Sequence, residues 1–355
     1  MEKITRDLFI NENKLFELVF DCFKSAGMDA NDAEISANLL IKTDKWGIHT
    51  HGLKNLAGYI AKAKVGGVSF TDKPEIIKEF ASIALVDAHN TFGFVSGTFG
   101  MNKAIEMAKK TGIGMVVVKN SSHFGAGSCY GNIAAEKGFI GIAMSNVDKK
   151  MSIPGTIGMT MGHNPFCLCV PASIIPSVCL DSSSSNTSSL RVLGAKAKGE
   201  KIPLGWITDK DGLPTDDPSH YPEEGALLPL GNYKGYGIAF FIDVMTGVLG
   251  SSLNSVSDDI PSWCFDLEKP NMVSHTFIAI NAKLLADNYI EQVDKMIKDA
   301  KNNKKAKGVS EITVPGEDMW KRFKDASKKK EVYLPKDVVD ELVKVIDYDK
   351  LFGEK

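Results

Sequence analysis

A chain of 355 residues, 43% hydrophobic and 24% charged, has sequence enough for one large or two modest domains around a real core. Its net charge of −2 gives no electrostatic basis for binding nucleic acid or an anionic membrane, and its longest apolar stretch, 236–249, is broken by Asp243 and too short to span a bilayer. Six cysteines without a C-x-x-C spacing make no disulfide framework, and the acidic start, Met1 to Asp7, does not read as a targeting peptide, so a cytoplasmic protein is expected.

Apolar residues at helical spacing over 12–26 (Leu15, Leu18, Val19, Cys22, Phe23) predict a first helix closed by Gly27. Asn31 with Glu34 reads as a capping box for a second helix to about Lys45, and a third runs from about Leu53 to Lys64. Between the last two lies Trp-Gly-Ile-His-Thr-His-Gly (46–52). The pattern then changes to strand (83–86), helix (97–110), strand (113–118), helix (130–137) and strand (139–144), which predicts a mainly parallel, three-layer sheet.

Residues 112–131 are the most informative stretch. An apolar β-branched run ends in a polar turn carrying His123, and Gly125, Gly127 and Gly131 follow before a helix. The glycines invite a dinucleotide-binding reading, but their spacing is one residue too long for G-x-G-x-x-G, and a histidine just before the first glycine is unusual in a pyrophosphate loop. A loop at the carboxyl end of a strand, presenting an imidazole as acid or base, is the better reading.

Cys167 and Cys169 alternate on an apolar strand, where free cysteine acts as a small core residue. Seven of the nine residues from Asp181 to Ser189 are Ser or Thr, a polar loop expected at the edge of the strand at 178–180. Trp206 to Gly212 reads as a hairpin turn; Asp209 and Asp211 lack the other acids of a calcium loop. Lys234 lies in a glycine-rich turn before an apolar helix of 237–249, a place suited to phosphate or carboxylate. A strand follows at 276–280, and from 283 the chain is helical again. Two units are therefore expected: a helical one from 1–75 and 283–355, and an α/β one from 76–282.

Of the seven histidines, His51 and His123 sit in glycine-bounded polar loops beside rigid elements; His89, His220 and His275 are expected to be structural or exposed. A zinc site built from His49, His51, His123 and His163 lacks a recognised ligand spacing, and no metal is expected. Removing a hydroxyl proton while a hydride departs needs a base that titrates near neutrality, which imidazole supplies, and a carboxylate to orient it. Asp148, ending the strand after that of His123, would serve if the two strands are neighbours.

Several ordered motifs resemble the malate/L-lactate/L-sulfolactate dehydrogenase family, the non-Rossmann family that includes ureidoglycolate dehydrogenase and 2,3-diketo-L-gulonate reductase. They are Gly-Ile-His-Thr-His-Gly-Leu (47–53), Asn-Ser-Ser-His-Phe-Gly (120–125), Gly-His-Asn-Pro (162–165), Pro-Leu-Gly-Asn-Tyr-Lys-Gly-Tyr-Gly (229–237) and Pro-Gly-Glu (315–317). The resemblance implies a three-layer α/β/α fold with a mixed sheet, a homodimer, and NAD- or NADP-dependent interconversion of a small 2-hydroxy acid and its 2-oxo acid, of malate/oxaloacetate or lactate/pyruvate type. By position it places His51, His123 and Asp148 in catalysis and Tyr59 against the substrate. The cofactor would lie along Val178, Cys179, Leu180, Asp181, Ser182 and Ser183, near Tyr233 and Lys234, and near Gly316, Glu317 and Asp318. Three positions depart from the pattern: Asn55 stands where the family has a carboxylate-binding arginine, with Lys54 beside it as a substitute; His163 stands for a threonine; and Leu190 stands for a glycine in the serine-rich loop. The departures leave open a catalytically impaired relative that only binds a dinucleotide or a small acid.

Overall fold

The computed structural model describes residues 5–353; Met1 to Ile4, part of the acidic start, lie outside the described residues. Strand β1 (Leu8–Asn11) leads into α1 (Glu12–Ser25), capped by the Asn11 side chain, which accepts from the N–H groups of Asn13 and Lys14. Helix α2 (Ala30–Lys45) is capped by Asp29 through the Asp32 N–H at 2.9 Å, so the cap falls two residues before Asn31 and the Asn31–Glu34 capping box does not form. Helix α3 (Leu56–Lys64), strands β2 (Glu75–Phe80) and β3 (Ile83–Asp87), helix α4 (Gly93–Thr111), strand β4 (Ile113–Ser121), helix α5 (Gly127–Ala135) and strand β5 (Ile140–Ser145) follow. The short strands β6 (Lys149–Met151) and β7 (Met161–Gly162) precede β8 (Phe166–Pro171) and β9 (Ser177–Ser182). Helix α6 (Ser189–Lys198), the hairpin β10 (Ile207–Thr208) and β11 (Pro214–Thr215), and helix α7 (Tyr233–Asp243) lead to β12 (Val273–Ile280). The chain closes with α8 (Tyr289–Lys301), α9 (Glu317–Lys329), β13 (Glu331–Leu334), α10 (Lys336–Leu342) and α11 (Tyr348–Phe352).

The main sheet has seven strands in the order β2-β3-β4-β12-β5-β8-β9. Only β3 and β4 run parallel; every other pairing in it is antiparallel. The expectation of a mainly parallel sheet is therefore wrong, because helices between strands do not by themselves fix the direction of the strand that later slots between them. That strand is β12. It pairs with β4 on one side and β5 on the other, so these two, consecutive in sequence, are not neighbours. Two strand spacings, roughly 10 Å, separate them. The element boundaries move as well: β4 continues three residues past Val118, α4 begins at Gly93, and α7 begins at Tyr233 and passes into a single π turn, Val244–Val248.

Helices α4 and α5 cover one face of the sheet, and α1 and α2 pack outside them. Helix α2 buries ten residues, which is why its sequence carries little amphipathic contrast. One continuous apolar cluster runs from Ile10, Leu15, Val19 and Phe23 through Val116, Val118 and Phe277 to Val338, Leu342 and Leu351, so the two ends of the chain share a core with the sheet. Strands β1 and β13 pair antiparallel and join those ends directly. A smaller, separate cluster (Met151, Met161, Val192, Ile207, Tyr221, Leu227, Ala239) gathers the excursion between β6 and α7. Among the described residues no helix is long and apolar enough to cross a membrane.

Candidate active site

The site is assembled at the end of the sheet where β4 and β5 finish. Strand β4 ends at Ser121, and the next two residues lie against the first residue of α4. A Cβ on Gly93 would sit 2.3 Å from the His123 carbonyl oxygen, so only glycine allows that approach, and the Gly93 N–H donates to Ser122 Oγ at 2.9 Å. Gly125, at φ +74°, then turns the chain over the Phe94 ring. The glycines after His123 are thus packing and turning residues, and the imidazole is what the turn presents.

His123 Nδ1 hydrogen-bonds the Tyr59 hydroxyl at 2.7 Å, and its ring stacks on Trp263, with centroids 4.7 Å apart and planes 13° from parallel. His51 faces it with centroids 6.0 Å apart. Burial lowers the pKa of His51; burial, then the charges of His51, His275, Lys150 and His163, hold His123 well below the usual imidazole range. Both rings are therefore neutral at pH 7. Tyr59, pushed up by burial, stays protonated.

The loop that carries His51 is pinned from behind. Asp44, fully buried, takes His49 Nδ1 at 2.6 Å on one oxygen and the Leu53 N–H at 2.6 Å on the other. A Cβ on Gly52 would lie 2.2 Å from that second oxygen. The two histidines of His-Thr-His thus divide the labour: His49 is a structural strut and His51 enters the site.

Asp148 is not the group that orients His123. Strand β12 keeps its strand away from that of His123, and its carboxylate is ion-paired with Lys150 at 3.1 Å. Tyr59 holds the position expected of the carboxylate. Between β4 and β5 stands His275, whose Nε2 meets Ser121 Oγ and whose Nδ1 meets Ser145 Oγ, each at 2.9 Å. It is a buried staple across three strands, and burial brings its pKa down to about 3.

Lys54, offered by the sequence as a carboxylate anchor, is ion-paired with Asp337 at 2.6 Å, and Asn55 donates its side-chain N–H to the Thr50 carbonyl at 3.0 Å. The cation turned toward the histidines is Lys150, largely buried beside Asp148, Tyr221 and Cys264. Burial works against its charge, but the Asp148 carboxylate, Tyr221 and Cys264 outweigh it, and its pKa is raised. Its charge is felt at His123 and at His163, which burial takes to about 3. His163 is aimed by its neighbour: Asn164 donates to Asp243 at 2.9 Å and accepts from the Val147 N–H at 3.1 Å. Among the described residues His163 Nδ1 is buried with no hydrogen-bond partner. Sequence reasoning passed over Lys150 because Asp-Lys-Lys after a strand looks like a solvated turn. Trp263 was missed too, in a stretch with no regular pattern.

The residues expected at the cofactor lie on another edge of the same sheet end. Val178, Cys179, Leu180, Asp181 and Ser182 are on β9, the last strand of the sheet, and Ser183 follows it. Gly316, at φ +82°, packs against Cys179 so closely that a Cβ would lie 3.0 Å from the Cys179 nitrogen. Glu317 is buried and ion-paired with Lys301 and Lys321, while Asp318 is exposed. Tyr233 and Lys234 open α7 and line, with Ile142, Met144, Phe166 and Leu168, a cleft of about 540 Å³. The hollow at His123, Tyr59 and Trp263 is smaller and leaves no room for water. An apolar floor with the exposed Lys234 ammonium at its rim suits a flat heterocycle bearing anionic groups, and the cleft is in the size range of ligand sites.

Comparison with known proteins identifies the family and the fold. A sequence model of the malate/L-lactate dehydrogenase family matches residues 10–343. The chain belongs to that family. It is 33% identical to the malate dehydrogenase of Pyrococcus abyssi over 94% of this chain and 92% of the relative. It is 27% identical to the ureidoglycolate dehydrogenase (NAD(+)) of Escherichia coli over 97% of this chain and 96% of the relative. The solved sulfolactate dehydrogenase from Methanocaldococcus jannaschii superposes with a TM-score of 0.87 at 28% identity, covering 95% of this chain and 96% of that one. The mixed α/β fold is that of the family, distinct from the Rossmann arrangement.

Proposed function

We propose that this family member interconverts a small 2-hydroxy acid and its 2-oxo acid, of malate or lactate type, with NAD or NADP in the Tyr233–Lys234 cleft, as a homodimer in the cytoplasm. The observation that carries the reading is the neutral His51–His123 pair walled by Tyr59 and Trp263, with the largely buried Lys150 close enough for its charge to act on His123. Bound nicotinamide supplies the hydride chemistry; the chain supplies orientation, a proton carrier and a carboxylate anchor.

In the oxidation direction His123 takes the hydroxyl proton on Nε2. For this, Nδ1 carries the hydrogen and donates it to the Tyr59 oxygen, a tautomer that the hydroxyl, able to accept as well as donate, permits. His51 lines the opposite side. The imidazolium so formed lies near the Lys150 charge, which opposes it. A substrate carboxylate docked on Lys150 removes that opposition, so substrate binding and protonation of His123 favour each other. The orphaned His163 Nδ1 is a further polar contact for an oxygen of the substrate.

The test is an assay of purified protein with NADH and with NADPH against oxaloacetate, pyruvate and related 2-oxo acids. Turnover with one or more supports the reading. Tight cofactor binding with no turnover across the panel would replace it with the binding-protein alternative.

A further inference from the structure

Three thiols converge where β8 and β9 pass behind α5, away from the histidines. Cys167 and Cys169 share one face of β8, and Cys179 lies opposite Cys169 in the antiparallel register. The sulphurs are 2.8 Å (Cys169–Cys179), 3.6 Å (Cys167–Cys169) and 3.8 Å (Cys167–Cys179) apart. Cys167 and Cys169 are fully buried, and Cys179 is 5% exposed. Helix α5 shows them bare backbone, because a Cβ on Gly131 would lie 2.8 Å from Cys169 Sγ and 3.0 Å from Cys167 Sγ. Among the described residues no fourth His, Cys, Asp or Glu joins the group.

Charge decides what such a triangle holds. Three thiolates around a monovalent ion carry two net negative charges and around a divalent ion one, and a buried uncompensated charge is costly. The outside charge that acts most on these thiols, Asp181, has the wrong sign to compensate it. A trivalent thiophile leaves no net charge. We propose that Cys167, Cys169 and Cys179 form a binding site for trivalent arsenic, taken up from arsenous acid as a neutral tris-thiolate.

The exchange balances without an oxidant: As(OH)3 and three thiols give As(S-Cys)3 and three waters, each As–O bond replaced by an As–S bond and each thiol proton leaving on a hydroxide. With bonds of about 2.3 Å, as in zinc thiolates, and angles near ~100°, a pyramid places its sulphurs roughly 3.5 Å apart, so Cys169 and Cys179 need to part by roughly 0.7 Å from their 2.8 Å. Entry requires the outer side of β9 to open locally, where the Cys179 N–H donates to the Pro315 carbonyl at 3.0 Å and Gly316 packs against Cys179. The inference rests on the fold and is independent of the proposed reaction.

The test is native mass spectrometry of the full chain treated with arsenite, with arsenic-edge X-ray absorption on the same sample. One arsenic per chain with three waters lost and three sulphur neighbours is expected. Cys179→Val, which keeps the core apolar, should weaken uptake at least a hundredfold, while Cys22→Ser and Cys264→Ser leave it unchanged. Loss of two waters, two sulphur neighbours with one oxygen, or undiminished uptake by Cys179→Val would overturn the site. So would stoichiometric capture of zinc or cuprous ion by the same three residues without capture of arsenite. The absorption spectrum needs only the wild-type chain, so a variant that fails to fold does not shelter the proposal.

Discussion

The two halves of the candidate site are built on opposite principles. At the histidines, Tyr59, Trp263 and Phe92 enclose imidazoles that would titrate near neutrality in water and hold them in the neutral form. At the cleft, Tyr233 is 70% exposed and Lys234 projects from the open first turn of α7. Proton transfer profits from a dry wall, because the energy of moving a proton is set by a few fixed neighbours. A cofactor that must enter and leave profits from an open edge. The contrast teaches that substitutions in the two halves should fail differently, one in turnover and the other in cofactor affinity.

The largest break is expected at His123. His123→Ala should lower kcat by about a hundredfold or more, the usual worth of a positioned acid or base, with cofactor affinity unchanged. Lys150→Met comes next: KM for the 2-oxo acid should rise by roughly ten- to a hundredfold, in keeping with a lost charge-assisted anchor, while Lys54→Ala changes KM less than about twofold because its partner is Asp337. An equal effect of the two lysines in a steady-state assay would erase the distinction. On the open side, Lys234→Ala should raise the KM for the cofactor by roughly tenfold and leave kcat at saturation within about twofold, as loss of uniform binding does.

Two pH effects sharpen the contrast. If the substrate carboxylate offsets Lys150, the basic-form pKa read from kcat should lie above that read from kcat/KM, and Lys150→Met should bring the two together. The stability effect is smaller. His163 and His275 titrate near 3 in the folded chain against about 6.5 unfolded. A depressed imidazole means that the unfolded chain binds more protons below that upper value, so stability is complete above about pH 6.5 and falls as the pH drops toward 3, by at most about 1.4 kcal/mol per pH unit for each histidine. Thermal melts of wild type and His275→Gln between pH 7 and 4 should show a shallower fall for the variant.

Much of this was legible in the sequence where the signal is local. The turn that presents His123 reads from an apolar run, a polar gap and spaced glycines, and His51 reads from its glycine-bounded loop. What failed was non-local. Nothing in residues 113–148 says that 273–280 will slide between their two strands, and that single insertion separates Asp148 from His123 and makes His275 a staple. Lys150 was illegible for the same reason, since a buried lysine differs from a solvated one only in what the rest of the chain packs over it. Lys54 misled because its partner, Asp337, lies 283 residues away.

The division of labour is tested most directly by measuring cofactor binding and turnover side by side in His123→Ala. Titration of the variant with NADH or NADPH, followed by cofactor fluorescence, should give the wild-type dissociation constant, while turnover of the best 2-oxo acid falls by about a hundredfold or more. Turnover within about threefold of wild type, or a loss of cofactor binding that matches the loss of rate, would contradict the assignment of proton transfer to the enclosed half and cofactor binding to the open one.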